Sequence, residues 1–231
     1  IIFPLIYGLI LFGFPNFETQ LIFLTILLLA ETHFGATWPF FLDKVNTPYI
    51  KQKKIELIII PILLVLFCII GFFYFKNLFL LIFFAANMYH VTRQSYGVMN
   101  LYTKEPLEKI HYSNIIYFFN LLFFLVAFFR FYMPVINGSS LLVLNFTVIS
   151  TMFIIFLFEY KKFGFSENFL TLITGVLIFY PVCFVANPVH AIIMGVTMHY
   201  SQYLYLTSKV INKRNNENNP NKKFKLFSFL F

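Results

Sequence analysis

The sequence predicts an all-α fold: a polytopic integral membrane helical bundle of about eight transmembrane helices, with both termini cytoplasmic. Three observations predict it. Hydrophobic residues fill 60% of the 231 positions and charged residues only 11%, too little polar surface to cover a globule in water. Apolar runs of about 20 residues, each able to cross a hydrocarbon core of about 30 Å, follow one another along nearly the whole chain. The breaks between those runs alternate sharply in basic charge, which is an orientation signal.

Reading apolar runs between polar breaks places helices at 1–14, 20–42, 55–75, 78–100, 113–136, 140–160, 168–186 and 188–209. The first is short. The second contains Gly35 and Pro39, tolerated in transmembrane helices more readily than in water. The third is almost unbroken Ile, Leu and Phe around Cys68, and the fourth turns polar from Asn87 to Gly97. In the fifth and sixth, Asn120 and Asn145 read as interhelical hydrogen-bonders, and Arg130 and Glu159 as anchors near the helix ends. The seventh carries Pro181 and Cys183, and the eighth Gly195. Both cysteines lie in apolar runs without CxxC spacing and read as packing residues.

One set of breaks holds Lys44, Lys51, Lys53, Lys54, Lys104, Lys109, Lys161, Lys162, Lys209, Lys213, Arg214, Lys222, Lys223 and Lys225, which is 14 of the 17 basic residues. The intervening connections hold only Lys76, so the basic side is cytoplasmic and the crossings are even in number. Residues 1–210 form a single transmembrane domain, and 211–231 a basic, Asn/Lys-rich cytoplasmic tail that cannot bury a core. The opening Ile1-Ile2 and the apolar close read as a chain trimmed at one or both ends. The net charge of +8 sits in separate short loops and suits anionic lipid headgroups rather than nucleic acid. The expected location is a bacterial or archaeal cytoplasmic membrane, alone or in an oligomer or larger membrane complex.

Ionisable residues inside a span are costly and mark candidate sites. His33, His90 and His199 are the fourteenth, thirteenth and twelfth residues of three spans that run in one direction, so their imidazoles fall at one depth near mid-membrane. Imidazole suits Fe, Zn and Cu, and three histidines leave coordination positions open for reaction. His190 lies nine residues before His199, about 13 Å along the helix and on the opposite face, and joins the set only if the helix kinks near Gly195. Its other reading is an interfacial histidine near the outer helix end, and His111, in a basic loop, reads as solvated.

Glu31 is either a carboxylate ligand or the counter-charge to Arg93, which otherwise snorkels to the headgroups. Gln94 and Gln202, four and three residues after His90 and His199, share a face with them and are expected to orient them; Tyr96 and Tyr200, with Arg93, are the candidate catalytic groups. No Walker loop, GxSxG or HExxH is present, and no Lys sits inside a span to form a retinal Schiff base.

His-Phe-Gly at His33 to Gly35, Tyr-His-Val-Thr-Arg-Gln at Tyr89 to Gln94 and Pro-Val-His at Pro188 to His190 resemble motifs of the Brp/Blh-like beta-carotene dioxygenases. The resemblance covers about a tenth of the chain, and Gln94 stands where the family's pair has its second His. It implies a multi-pass membrane protein that uses His-bound iron to cleave a carotenoid, with His33 and His90 as ligands. Together these readings predict a metal-dependent oxidoreductase, a non-haem iron oxygenase, acting on an apolar lipid-like or carotenoid substrate. Two alternatives stay open: a haem-binding (or other transition-metal) electron-transfer subunit, and a non-catalytic subunit or transporter with a buried polar network.

Overall fold

In the computed structural model the described residues are 2–36, 46–133 and 138–218, and Pro39, Lys44, Asn137 and the tail beyond 218 lie outside them. Among the described residues every regular element is helical: α1 (Ile2–Gly13), α2 (Pro15–Gly35), α3 (Thr47–Gln52), α4 (Ile55–Tyr74), α5 (Lys76–Tyr102), α6 (Pro106–Tyr132), α7 (Gly138–Phe163), α8 (Glu167–Val176), a 3-10 turn (Tyr180–Cys183) and α9 (Pro188–Asn218). Local chemistry sets several ends. Pro106 opens α6 where no intrahelical N–H is needed. Gly164, at φ +63°, ends α7 in the left-handed conformation that glycine takes without penalty. Ser166 caps α8 by accepting from the Phe169 N–H over 3.2 Å.

Four of these helices, α2, α4, α6 and α7, are long and apolar enough to cross a membrane, fewer than the eight expected. The shortfall has physical causes. Helix α1 is apolar but only 12 residues long. The expected span at 168–186 is broken: α8 has 10 residues, and Pro181, which cannot donate to a helix, introduces the 3-10 turn. Helices α5 and α9, of 27 and 31 residues, have the length but carry too many polar residues. Helix α4 makes the lipid argument most directly, since of its residues 60–74 only Gly71 is buried and Ile, Leu, Val and Phe point outward all round. Such a surface is untenable in water and natural in hydrocarbon.

The chain divides into two compact units, Ile1–Gly8 with Phe75–Met198, and Leu9–Tyr74 with His199–Phe231. In the first, α6 is central and contacts α5, α7, α8 and the 3-10 turn. Tyr112, Ile116, Phe119, Phe123 and Val126 recur every three or four residues along it and are completely buried, one stripe facing the core.

The segment after α8 leaves the α-helix for turns around Tyr180–Cys183 and is buried, with Ile178, Phe179 and Val182 fully enclosed. Its carbonyls, and that of Gly175 in the last turn of α8, need donors. Asn120 Nδ2 donates to Gly175 O over 3.0 Å, Arg130 to Val182 O over 2.8 Å, and Asn145 Nδ2 to Cys183 O over 2.8 Å. Arg130, expected to anchor a helix end, thus holds the turn instead, whereas the two asparagines do bridge elements as their sequence positions suggested. Gly195 of α9 meets this segment at its closest approach, where a Cβ would fall 1.6 Å from Ile178 O. In the second unit, exposed Lys53 donates to Glu56 over 2.7 Å. That bond raises the Lys53 pKa above the usual lysine value.

Gly195→Ala is expected to lower the thermal stability of the detergent-purified protein by about 3 kcal/mol or more, because backbone must move to admit the methyl group. Gly97→Ala, with nothing within 4 Å of the added carbon, leaves stability unchanged in the same melt. Asn145→Leu strands the Cys183 carbonyl and is expected to cost about 1–3 kcal/mol.

Candidate functional site

In the second unit, the last turn of α2 and the residues of α9 from His199 onward bring aromatic and imidazole rings together. Helix α2 widens to a π-helical turn at Ile26–Ala30, immediately before the Glu31–Gly35 segment that carries His33. Thr32 Oγ1 ties the two segments by donating to Leu28 O over 2.6 Å. Such turns re-aim the residues that follow and recur at functional sites. On α9, His199 and Tyr203 are four residues apart and therefore share a face.

His33 and His199 are both buried, at 5% and 3% exposure, with ring centroids 5.0 Å apart and an interplanar angle of 68°. The Tyr203 ring lies 4.4 Å and the Tyr200 ring 5.2 Å from His33, and Tyr200 is 5.8 Å from His199. Two of the three histidines predicted to converge are thus in contact, with Tyr200 beside them as predicted and Tyr203 added.

The separation discriminates between kinds of metal ligation. With a metal–nitrogen distance of about 2.1 Å, two imidazoles on adjacent positions of one metal place their centroids roughly 4.6–5.3 Å apart, and two on opposite axial positions of a haem about 6.5 Å. At 5.0 Å the pair has a separation that adjacent positions on one metal would allow, and it is equally the separation of ordinary edge-to-face ring packing. The donor set stops at two, however: among the described residues no group of three or more His, Cys, Asp or Glu is arranged to hold a metal ion.

The other expected ligands lie elsewhere. Glu31 is exposed, as its two-residue offset from His33 requires on a helix. His90 is exposed on α5, in the first unit. His190 is neither interfacial nor part of this pair: it is 1% exposed in the first unit, where its Nδ1 shares a hydrogen bond of 2.6 Å with the Tyr7 hydroxyl.

Of the polar residues expected to support the site, Gln202 is half-buried and its Oε1 is enclosed without a hydrogen-bond partner among the described residues, as is Gln94 Oε1 on α5. Tyr96 stacks obliquely on Tyr117, centroids 6.0 Å apart, and Arg93 donates to Tyr89 over 3.3 Å, on its own helix. His111 is exposed, as its loop position suggested, while Glu159, expected to be an anchor, is buried and bonds His111 Nε2 over 2.7 Å, a pair 48 residues apart that no local pattern announces. Tyr7 was missed for the same reason, its partner being 183 residues away.

No family model, curated protein or solved structure matches the chain.

Tyr7→Phe removes a short buried hydrogen bond while keeping the ring, and is expected to cost about 1–3 kcal/mol of stability in a thermal melt. The His33–His199 pair should be untouched, so the metal content of the folded Tyr7→Phe protein matches that of the parent.

Proposed function

We propose that the chain is a membrane-embedded, metal-dependent oxidoreductase acting on an apolar, lipid-like substrate, with His33 and His199 holding a non-haem metal, iron first among the candidates. One observation supports this reading: two buried imidazoles at a separation that adjacent positions on one metal would allow. Their nitrogens supply part of a coordination sphere, leaving the rest to ligands from outside the pair. When bound, the metal supplies the one-electron and dioxygen chemistry that side chains lack.

The chain's own residues do the remaining work. Tyr200 and Tyr203 fix the ring planes and shield the pair from water, and Gln202, with an enclosed acceptor three residues after His199, orients what binds beside it. The substrate class follows from the surroundings: the outward face of α2 next to His33 offers Leu27, Leu28 and Phe34, all exposed, so a lipid-soluble molecule approaches through hydrocarbon. A carotenoid is one such molecule, in line with the Brp/Blh-like motifs. The same reading takes α5 and α9 as further crossings on length, and sets both termini on the cytoplasmic side from the distribution of Lys and Arg.

Elemental analysis of protein purified in detergent tests the proposal. Close to one equivalent of iron or another transition metal is expected, falling about tenfold or more in His33→Ala and in His199→Ala and unchanged in His111→Ala. A folded parent protein with less than about one-tenth equivalent of any metal overturns it in favour of a buried polar network. A Soret band overturns it in favour of haem.

A further inference from the structure

A second feature shares no residue with the His33–His199 pair. In the first unit, Ala85, Met88, Tyr89 and Thr92 of α5 face Tyr117, Asn120, Leu121 and Phe124 of α6 across a half-open groove of about 320 Å³. Both sets have the spacing i, i+3, i+4, i+7, which makes one continuous stripe on each helix, about 10 Å long. The helices are antiparallel by connection, so Ala85 stands with Phe124 at one end and Thr92 with Tyr117 at the other.

The groove is apolar despite its Asn and Thr, because their donors are turned into backbone. Thr92 Oγ1 donates to Met88 O over 2.7 Å, and Asn120 Nδ2 to Ile116 O and Gly175 O. At the Thr92–Tyr117 end the character changes. Arg93 follows Thr92, lies one turn beyond Tyr89 on nearly the same face, and donates to the Tyr89 hydroxyl. It is exposed, and among the described residues no carboxylate pairs with it. An unneutralised guanidinium in so apolar a chain calls for an anion from outside, and guanidinium matches a carboxylate through two parallel N–H bonds.

We infer that this groove binds a long-chain fatty acid, its carboxylate on Arg93 with Tyr89 and Tyr117 beside it, and its chain running along the α5–α6 groove toward Phe124. The volume sets how much of the chain is enclosed: at about 30 Å³ per heavy atom, 320 Å³ holds roughly ten, the first part of a fatty acyl chain, and the rest emerges into lipid. This assignment stands independently of the metal reading, since it uses other residues, and it gives Arg93 an anchoring role in place of charge balance with Glu31.

The test uses the full chain in phosphatidylcholine nanodiscs with a palmitic acid analogue carrying a mid-chain diazirine, cross-linked by light and mapped by peptide mass spectrometry. Label is expected on peptides of α5 and α6 that contain the groove residues, suppressed by excess palmitate but not by methyl palmitate. Arg93→Gln, at an exposed position, should reduce it about tenfold or more, and Arg93→Lys should keep most of it. Ala85→Phe fills the groove and should abolish label with Arg93 intact. Equal competition by methyl palmitate, undiminished label in Arg93→Gln, or label on the exposed α4 surface as strong as on α5 and α6, the mark of ordinary annular lipid, each overturns the assignment.

Discussion

The first unit depends on one constraint, that a backbone leaving the helix away from water must find donors for its carbonyls. In hydrocarbon each unmet carbonyl costs several kcal/mol, so a break is tolerated only where protein surrounds it and supplies the missing bonds. The segment after α8 meets both conditions: its side chains are enclosed, and Arg130 and Asn145 bring N–H groups from two neighbouring helices to two of its carbonyls, while Asn120 serves the Gly175 carbonyl in the last turn of α8. Asn120 and Arg130 are the polar exceptions in an otherwise apolar stretch of α6, and Asn145 is the amide of a stretch of α7 whose other polar residues, Thr147, Ser150 and Thr151, are hydroxyls. The placement of the three donors, Gly195 against Ile178 O and the buried stripe of α6 form one arrangement: remove the donors and the close helix contact at Gly195 has nothing fixed to rest against.

The helices themselves were legible because their periodicity and breaks are local. Expected spans at 55–75, 78–100, 113–136, 140–160 and 188–209 correspond to helices beginning at Ile55, Lys76, Pro106, Gly138 and Pro188. Where the reading overcounted crossings, it treated apolar composition as though it guaranteed an unbroken helix. Pro181 was visible, but whether a proline kinks a helix or ends it depends on whether neighbours can satisfy the freed backbone, and that is a property of α6 and α7 rather than of the segment.

The site was legible to a different degree. Counting residues along spans fixes height in the bilayer but says nothing about rotation about each helix axis. His33 and His199, counted to one height, meet; His90 was given the same height and is exposed on α5. The Tyr7–His190 and His111–Glu159 bonds were invisible for a related reason, since contacts across 183 and 48 residues are set by tertiary structure alone. Burial could be inferred for each histidine from its apolar neighbours, but the identity of its partner could not.

Helix α9 shows how one sequence element serves two polar sites without confusing them. His190 and His199 are nine residues apart on a continuous helix, an offset that turns the second to the opposite face, and the two have different neighbours. His190 Nδ1 shares a short hydrogen bond with a phenol. His199 instead meets a second imidazole whose plane is crossed at 68°, so that neither ring stacks flat on the other and the two meet edge to face.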